Sequence, residues 1–154
     1  MSETDNVADA TTTDADEILS IWDIAETDVD AEETGKWFED VFGNGTKVDL
    51  KLRRFTSKAS LKARQKLEAP YRRKQKKGDL PEAVTDALMI DQIAEGILVD
   101  WKGVYGRDKK PLPFTVANAK LILKALPELV KIVGNLSLRL DNFRLDRRED
   151  IEGN

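Results

Sequence analysis

The chain has 154 residues, 40% of them apolar and 35% charged, with a net charge of −4. That is the length of one ordinary domain. It holds no cysteine and no histidine, which removes disulfides, thiolate chemistry, the commonest metal ligand and the usual general base near neutral pH. A non-enzyme without cofactor or metal is therefore expected.

The charge is blocky. Residues 1–34 carry twelve acids and no base, whereas 51–77 carry twelve bases and one acid, Glu68. Such blocks mark tails and interaction segments. The start, MSETDNVADA, is polar and acidic and is no signal peptide. No apolar run approaches the roughly 20 residues of a membrane span. Residues 1–34 read as an acidic, largely disordered tail with a possible short docking segment at 18–24, where Ile18, Ile21 and Trp22 stand out. Residues 18–30 read as a short amphipathic helix or a disordered docking peptide, and the alternative is a strand or helix packed on the body. A single folded domain is expected over 35–145, and a frayed, charged end over 146–154.

From Gly35 the sequence GKWFEDVFGNGTKVDLKLRRF reads as two strands around the turn Gly43-Asn44-Gly45. Val48, Leu50 and Leu52 alternate with Lys47, Asp49 and Lys51, the period of a half-buried strand. The following segment, SKASLKARQKLEAPYRRKQKKG, is helix-prone and basic. Ser57 or Ser60 can cap it, and Pro70 breaks or bends it. It admits two readings. One is a nucleic-acid face in which Lys and Arg neutralise phosphates and Tyr71 stacks on a base. The other, preferred because the run has one aromatic and the chain is acidic, is a solvated helix that meets acidic protein, this chain's own tail included. Arg53, Arg54, Lys58, Lys62, Arg72 and Arg73 are the candidate contacts in either case.

Pro81 and Glu82 suit the first turn of a further helix. Ala83, Ala87, Ile90, Ala94, Ile97 and Trp101 then recur every three or four residues, which predicts one core-facing helix as far as Trp101. Asp91 and Glu95 share a face of it, read as a solvated face rather than an acid pair for catalysis. Gly103, Gly106, Pro111 and Pro113 make a connection. Thr115 can cap VANAKLILKAL, and Pro127 opens a last helix running to Phe143. The fold class expected is α+β, mainly helical: an N-terminal β-hairpin followed by about four helices, behind a disordered acidic tail.

The stretch IAEGILVDWKGVYGRDKKPLPFTVANAKLILKALPEL resembles the tail assembly chaperones of long-tailed bacteriophages and related prophages. In that family a helix ends in Trp, a short turn leads to Pro-x-Pro-Phe/Tyr-Ser/Thr, and Asn-Ala follows in the next helix. Ile97, Trp101, Gly103, Val104, Pro111, Pro113, Phe114, Thr115, Asn118, Ala119, Leu121 and Pro127 stand at the matching places, and the likeness covers about 35–140. GVYGRDKKP departs from the compact acid-Gly-Lys-Pro turn more frequent in the family. The resemblance implies a non-catalytic assembly factor in the host cytoplasm. It would bind the tape measure protein, bring tail tube subunits to it, and be absent from the finished virion. Self-association, or pairing with a frameshift-extended form of the chain, is a further expectation, and this chain looks like the short form. A nucleic-acid-binding accessory protein using 51–77, or a minor structural component of the tail, is the alternative.

Overall fold

The computed structural model describes residues 18–145. Residues 1–17 of the tail expected at 1–34, and the frayed end expected at 146–154, lie outside them. In chain order the elements are α1 (Ile21–Ala25), α2 (Val29–Thr34), β1 (Lys36–Phe38), β2 (Asp49–Leu52), α3 (Lys58–Glu68), a 3-10 turn (Ala69–Tyr71), α4 (Arg72–Lys76), α5 (Glu82–Gln92), a π-helical turn (Ile93–Ile97), β3 (Leu98–Lys102), α6 (Val116–Ala125), α7 (Pro127–Leu138) and a last 3-10 turn (Leu140–Phe143).

The expected N-terminal hairpin followed only by helices is not what the chain forms. Two capped helices precede the strands. Ser20 and Asp23 make a reciprocal capping box on α1, and the Asp28 carboxylate accepts the Ala31 N–H of α2. A third strand also lies mid-chain, inside the stretch read as one long helix. The sheet order is β1-β2-β3 with both pairs antiparallel. The long helix fails at residues 93–97, where the turn widens to π geometry and Gly96 lies hard against α3. A Cβ there would meet the Ser60 Cα at 2.8 Å and the Ala63 Cβ at 3.0 Å. β2 has a second edge to satisfy, and its buried Leu50 and Leu52 need apolar partners across it. Trp101 and Leu98 supply them, at Leu50↔Trp101 and Leu52↔Leu98, with a bulge between. The bulge breaks strict alternation, so the segment keeps a helix-like spacing of apolar residues while lying extended.

The inner sheet face, Leu50, Leu52, Leu98 and Trp101, meets Ile93, Ala94 and Ile97 of the π turn, Ala119 and Leu123 of α6, and Leu129 and Val133 of α7 in one core. Burying a side chain such as Ile97 contributes about 1.5–3 kcal/mol. The outer face holds Trp37, with the Lys102 ammonium 4.2 Å from its ring centroid. On the far side of the π turn lies α3. Gln92, itself buried, donates from Nε2 to the Ser60 Oγ at 3.1 Å. Ala83 and Ala87, counted in the apolar stripe, are exposed. At the end of the chain Phe143 is buried edge-on against Phe38, with centroids 5.8 Å apart.

The β1–β2 connection is organised by Asp40. Its carboxylate accepts the N–H groups of Gly45 and Lys47 at 3.0 and 3.1 Å and the Thr46 hydroxyl at 3.1 Å. The backbone donors, Gly45 first, hold its pKa below the ordinary 3.8. A lowered carboxyl pKa stabilises the fold while the group is ionised, and that contribution is lost as pH falls through the folded pKa. Asp40→Asn is therefore expected to lower stability at neutral pH. Its deficit should shrink once the pH drops below 3.8, as urea denaturation of both proteins at neutral and acidic pH would show.

Candidate partner-binding surfaces

The residues singled out between 97 and 118 come together as a joint between β3 and α6. Ile97 is fully buried beneath it. Trp101 is 7% exposed. Its Nε1–H donates to the Leu112 carbonyl at 2.7 Å, and its ring meets Phe114 edge-on at 5.0 Å. Gly103 has φ +71°, and a Cβ on it would stand 2.1 Å from the Lys47 carbonyl oxygen. The connection folds back through a bridge between Tyr105 and Pro111 and a bond from the Leu112 N–H to the Val104 carbonyl. Thr115 caps α6 by accepting the Asn118 N–H at 3.0 Å, and the Asn118 side chain donates back to the Pro113 carbonyl at 2.9 Å. Pro111 and Pro113 lie at the surface. The arrangement joins and stiffens, and its polar groups are spent on one another.

The basic residues divide in two. Arg53 donates from Nε to the Glu33 carbonyl at 2.9 Å, and Arg54 pairs with the Glu32 carboxylate. The Glu33 carboxylate accepts the Lys58 backbone N–H at 3.0 Å, closing the first turn of α3. The acidic helix α2 thus ties this chain's own basic strand end and helix start together. The side chains of Lys58, Lys62, Arg72 and Arg73 remain exposed, as do Lys74, Lys76 and Lys77.

The segment 18–24 stands out from the body. Its base is anchored: Thr27 bridges Arg144, the Asp28 N–H donates to the Phe143 carbonyl, and the Leu145 N–H donates to the Glu26 carbonyl. Above that anchor Ile18, Ile21 and Trp22 are 65%, 61% and 66% exposed, and Leu19 and Ile24 are exposed with them. The helix is thus capped at its start while its apolar residues face water.

Two apolar grooves flank α5, which sequence reasoning did not find. One, of about 310 Å³, runs between α5 and the α6–α7 corner, walled by Met89, Ile90, Leu123 and Val130. The other, of about 130 Å³, lies among α3, α4 and α5, walled by Leu67, Leu80, Leu88 and Met89. Met89 is the ridge between them. The acid pair Asp91 and Glu95 is bridged by Lys120 of α6, at 3.7 and 3.9 Å. That places the pair in a helix–helix contact, and Glu95 also lines a cleft with Lys62 and Lys66 of α3. Among the described residues no cluster of acids suits a metal ion, and no helix is long and apolar enough to cross a membrane.

No curated protein and no solved structure matches the chain. Its residues 55–154 match the YdaY prophage protein family, a stretch that runs from the start of the basic segment through the grooves and the Trp101 joint. Matched over more than half its length, this is a prophage protein and belongs to the YdaY family.

Proposed function

We propose that this prophage protein is a non-catalytic tail assembly chaperone. In this reading it works in the host cytoplasm, holds helical segments of the tape measure protein in solution and brings tail tube subunits to them. The observation that carries the reading is the groove between α5 and the α6–α7 corner, with Met89, Ile90, Leu123 and Val130 along its walls. An amphipathic helix laid in such a groove buries its apolar face at spacings of three and four residues. Lys124 edges the groove and offers a contact to a partner's acids, while Lys131 beside it pairs with Glu128 at 3.2 Å. The resemblance of the 97–118 joint to tail assembly chaperones points the same way, with the joint serving as frame rather than contact.

Nucleic-acid binding draws less support, because Arg53 and Arg54 are engaged by α2. The test is titration of helical tape measure peptides into the full chain. Saturable binding is expected, weakened more than about ten-fold by Met89→Glu, which places a charge on a wall residue that already touches solvent. Binding that Met89→Glu leaves unchanged would remove the groove from the account.

A further inference from the structure

We infer, on the chaperone reading of the groove between α5 and the α6–α7 corner, that this groove selects the flanks of its partner helix and fixes its direction, through Asp86 on one rim and Lys124 on the other. The partner is then an amphipathic helix whose apolar stripe has bases along one side and acids along the other. The walls of the groove are apolar, and apolar contact by itself carries no direction. Direction has to come from the charged residues that line it, Asp86, Lys124 and Lys131. Asp86 stands on α5, whereas Lys124 and Lys131 stand on α6 and α7, so acid and base belong to opposite walls. Lys131 is already paired with Glu128 at 3.2 Å. The α5–α6 contact is matched as well, since Lys120 bridges Asp91 and Glu95. Among the described residues Asp86 and Lys124 are in no ion pair, and both are exposed. The charges left over in this region are therefore one acid and one base on facing walls of an apolar groove.

A helix laid in a groove turns its apolar stripe to the floor and one flank to each rim. Turning the helix end for end, with the stripe still down, exchanges the flanks. A helix with bases on one flank and acids on the other meets Asp86 with its bases and Lys124 with its acids in one direction only. In the reverse direction both rims face like charge, which is unfavourable. Charges that flank an apolar seam set partner choice and orientation in paired helices in the same way. A helix acidic on both flanks, or basic on both, is matched at one rim and repelled at the other whichever way it lies. Of the helical segments of a long partner, the groove thus holds those with mixed flanks, and holds each in a single direction.

Synthetic helical peptides that share one apolar stripe and differ only in their flanks test this. One has acids on one side and bases on the other, one has acids on both, and one has bases on both. Calorimetric titration into the full chain at low salt is expected to rank the mixed peptide first by about three- to ten-fold, because rim pairs are individually weak and screened by salt. Lys124→Glu makes both rims acidic and should move the preference to the basic peptide. Asp86→Lys should move it to the acidic one. Both substitutions change exposed side chains, so circular dichroism is expected to be unaltered. A nitroxide on the N-terminus of the mixed peptide reports direction. It should broaden amide signals toward one end of α5, and toward the other end once the peptide's flanks are exchanged. Three peptides bound equally, preferences that ignore both substitutions, or a nitroxide that stays at the same end would overturn the inference and leave the chaperone reading standing. A groove that binds none of the peptides would overturn both.

Discussion

Trp101→Ala is expected to cost about 3–5 kcal/mol, a large share of the roughly 5–15 kcal/mol that holds a domain together. The indole fills the space between β3 and the returning connection, with 7% of its surface exposed. Its removal empties that space and deprives the Leu112 carbonyl of its 2.7 Å donor. The edge-on contact with Phe114 at 5.0 Å goes too, worth about 0.5–1.5 kcal/mol beyond burial. Phe114 leads directly into the cap at Thr115, so α6 loses its fixed start as well. Thermal unfolding should show the midpoint lowered by about 6–20 °C. Trp101→Phe keeps a ring against Phe114 but no donor, and its loss should be smaller, about 1–2 kcal/mol. Equal losses for the two variants would mean that the hydrogen bond, not the packing, dominates.

Gly103→Ala should be nearly as damaging, although it adds a single methyl group. Two effects combine. Gly103 sits at φ +71°, where a side chain costs about 1–2 kcal/mol. Its Cβ would also stand 2.1 Å from the Lys47 carbonyl oxygen, so the ends of β2 and β3 must part at the Asp49↔Lys102 pair. Overpacking of this kind costs about 1–3 kcal/mol more. Urea unfolding of Gly103→Ala is expected to show the sum, about 2–5 kcal/mol. Gly106→Ala is the control, because Gly106 has no positive φ and the nearest atom to a Cβ there is the side-chain oxygen of exposed Asp108. It should cost far less.

These two residues also show what the sequence made readable. Trp101, Gly103, Phe114, Thr115 and Asn118 form one constellation in the chain and one joint in space, because each acts on near neighbours. Thr115 and Pro127 mark the starts of α6 and α7 in both. Strand β3 was not readable, since Leu98 and Trp101 are three apart, a spacing that a helix face and a bulged strand share. The signal that separates them is Gly96, an isolated glycine in a helical pattern that marks the close approach to Ser60. A short helix is one reading of the segment that forms α1, but α2 hid behind an acidic composition, although Asp28 ahead of Ala31 is an ordinary start signal, as is Ser20 with Asp23 for α1. The grooves could not be read at all. Met89, Leu123 and Val130 lie far apart in sequence and meet only through the packing of α5, α6 and α7. The same holds for the basic block, where only the position of α2 shows that Arg53 and Arg54 are spent inside the chain.

As the proposed chaperone, this prophage family member would keep a partner soluble by covering its apolar helical faces. The soluble yield of the phage's tape measure protein on co-expression measures this most directly. A soluble complex is expected with the wild-type chain and a return to the insoluble fraction with Met89→Glu, while that variant itself stays folded. A tape measure protein that is equally insoluble with and without the wild-type chain would contradict it.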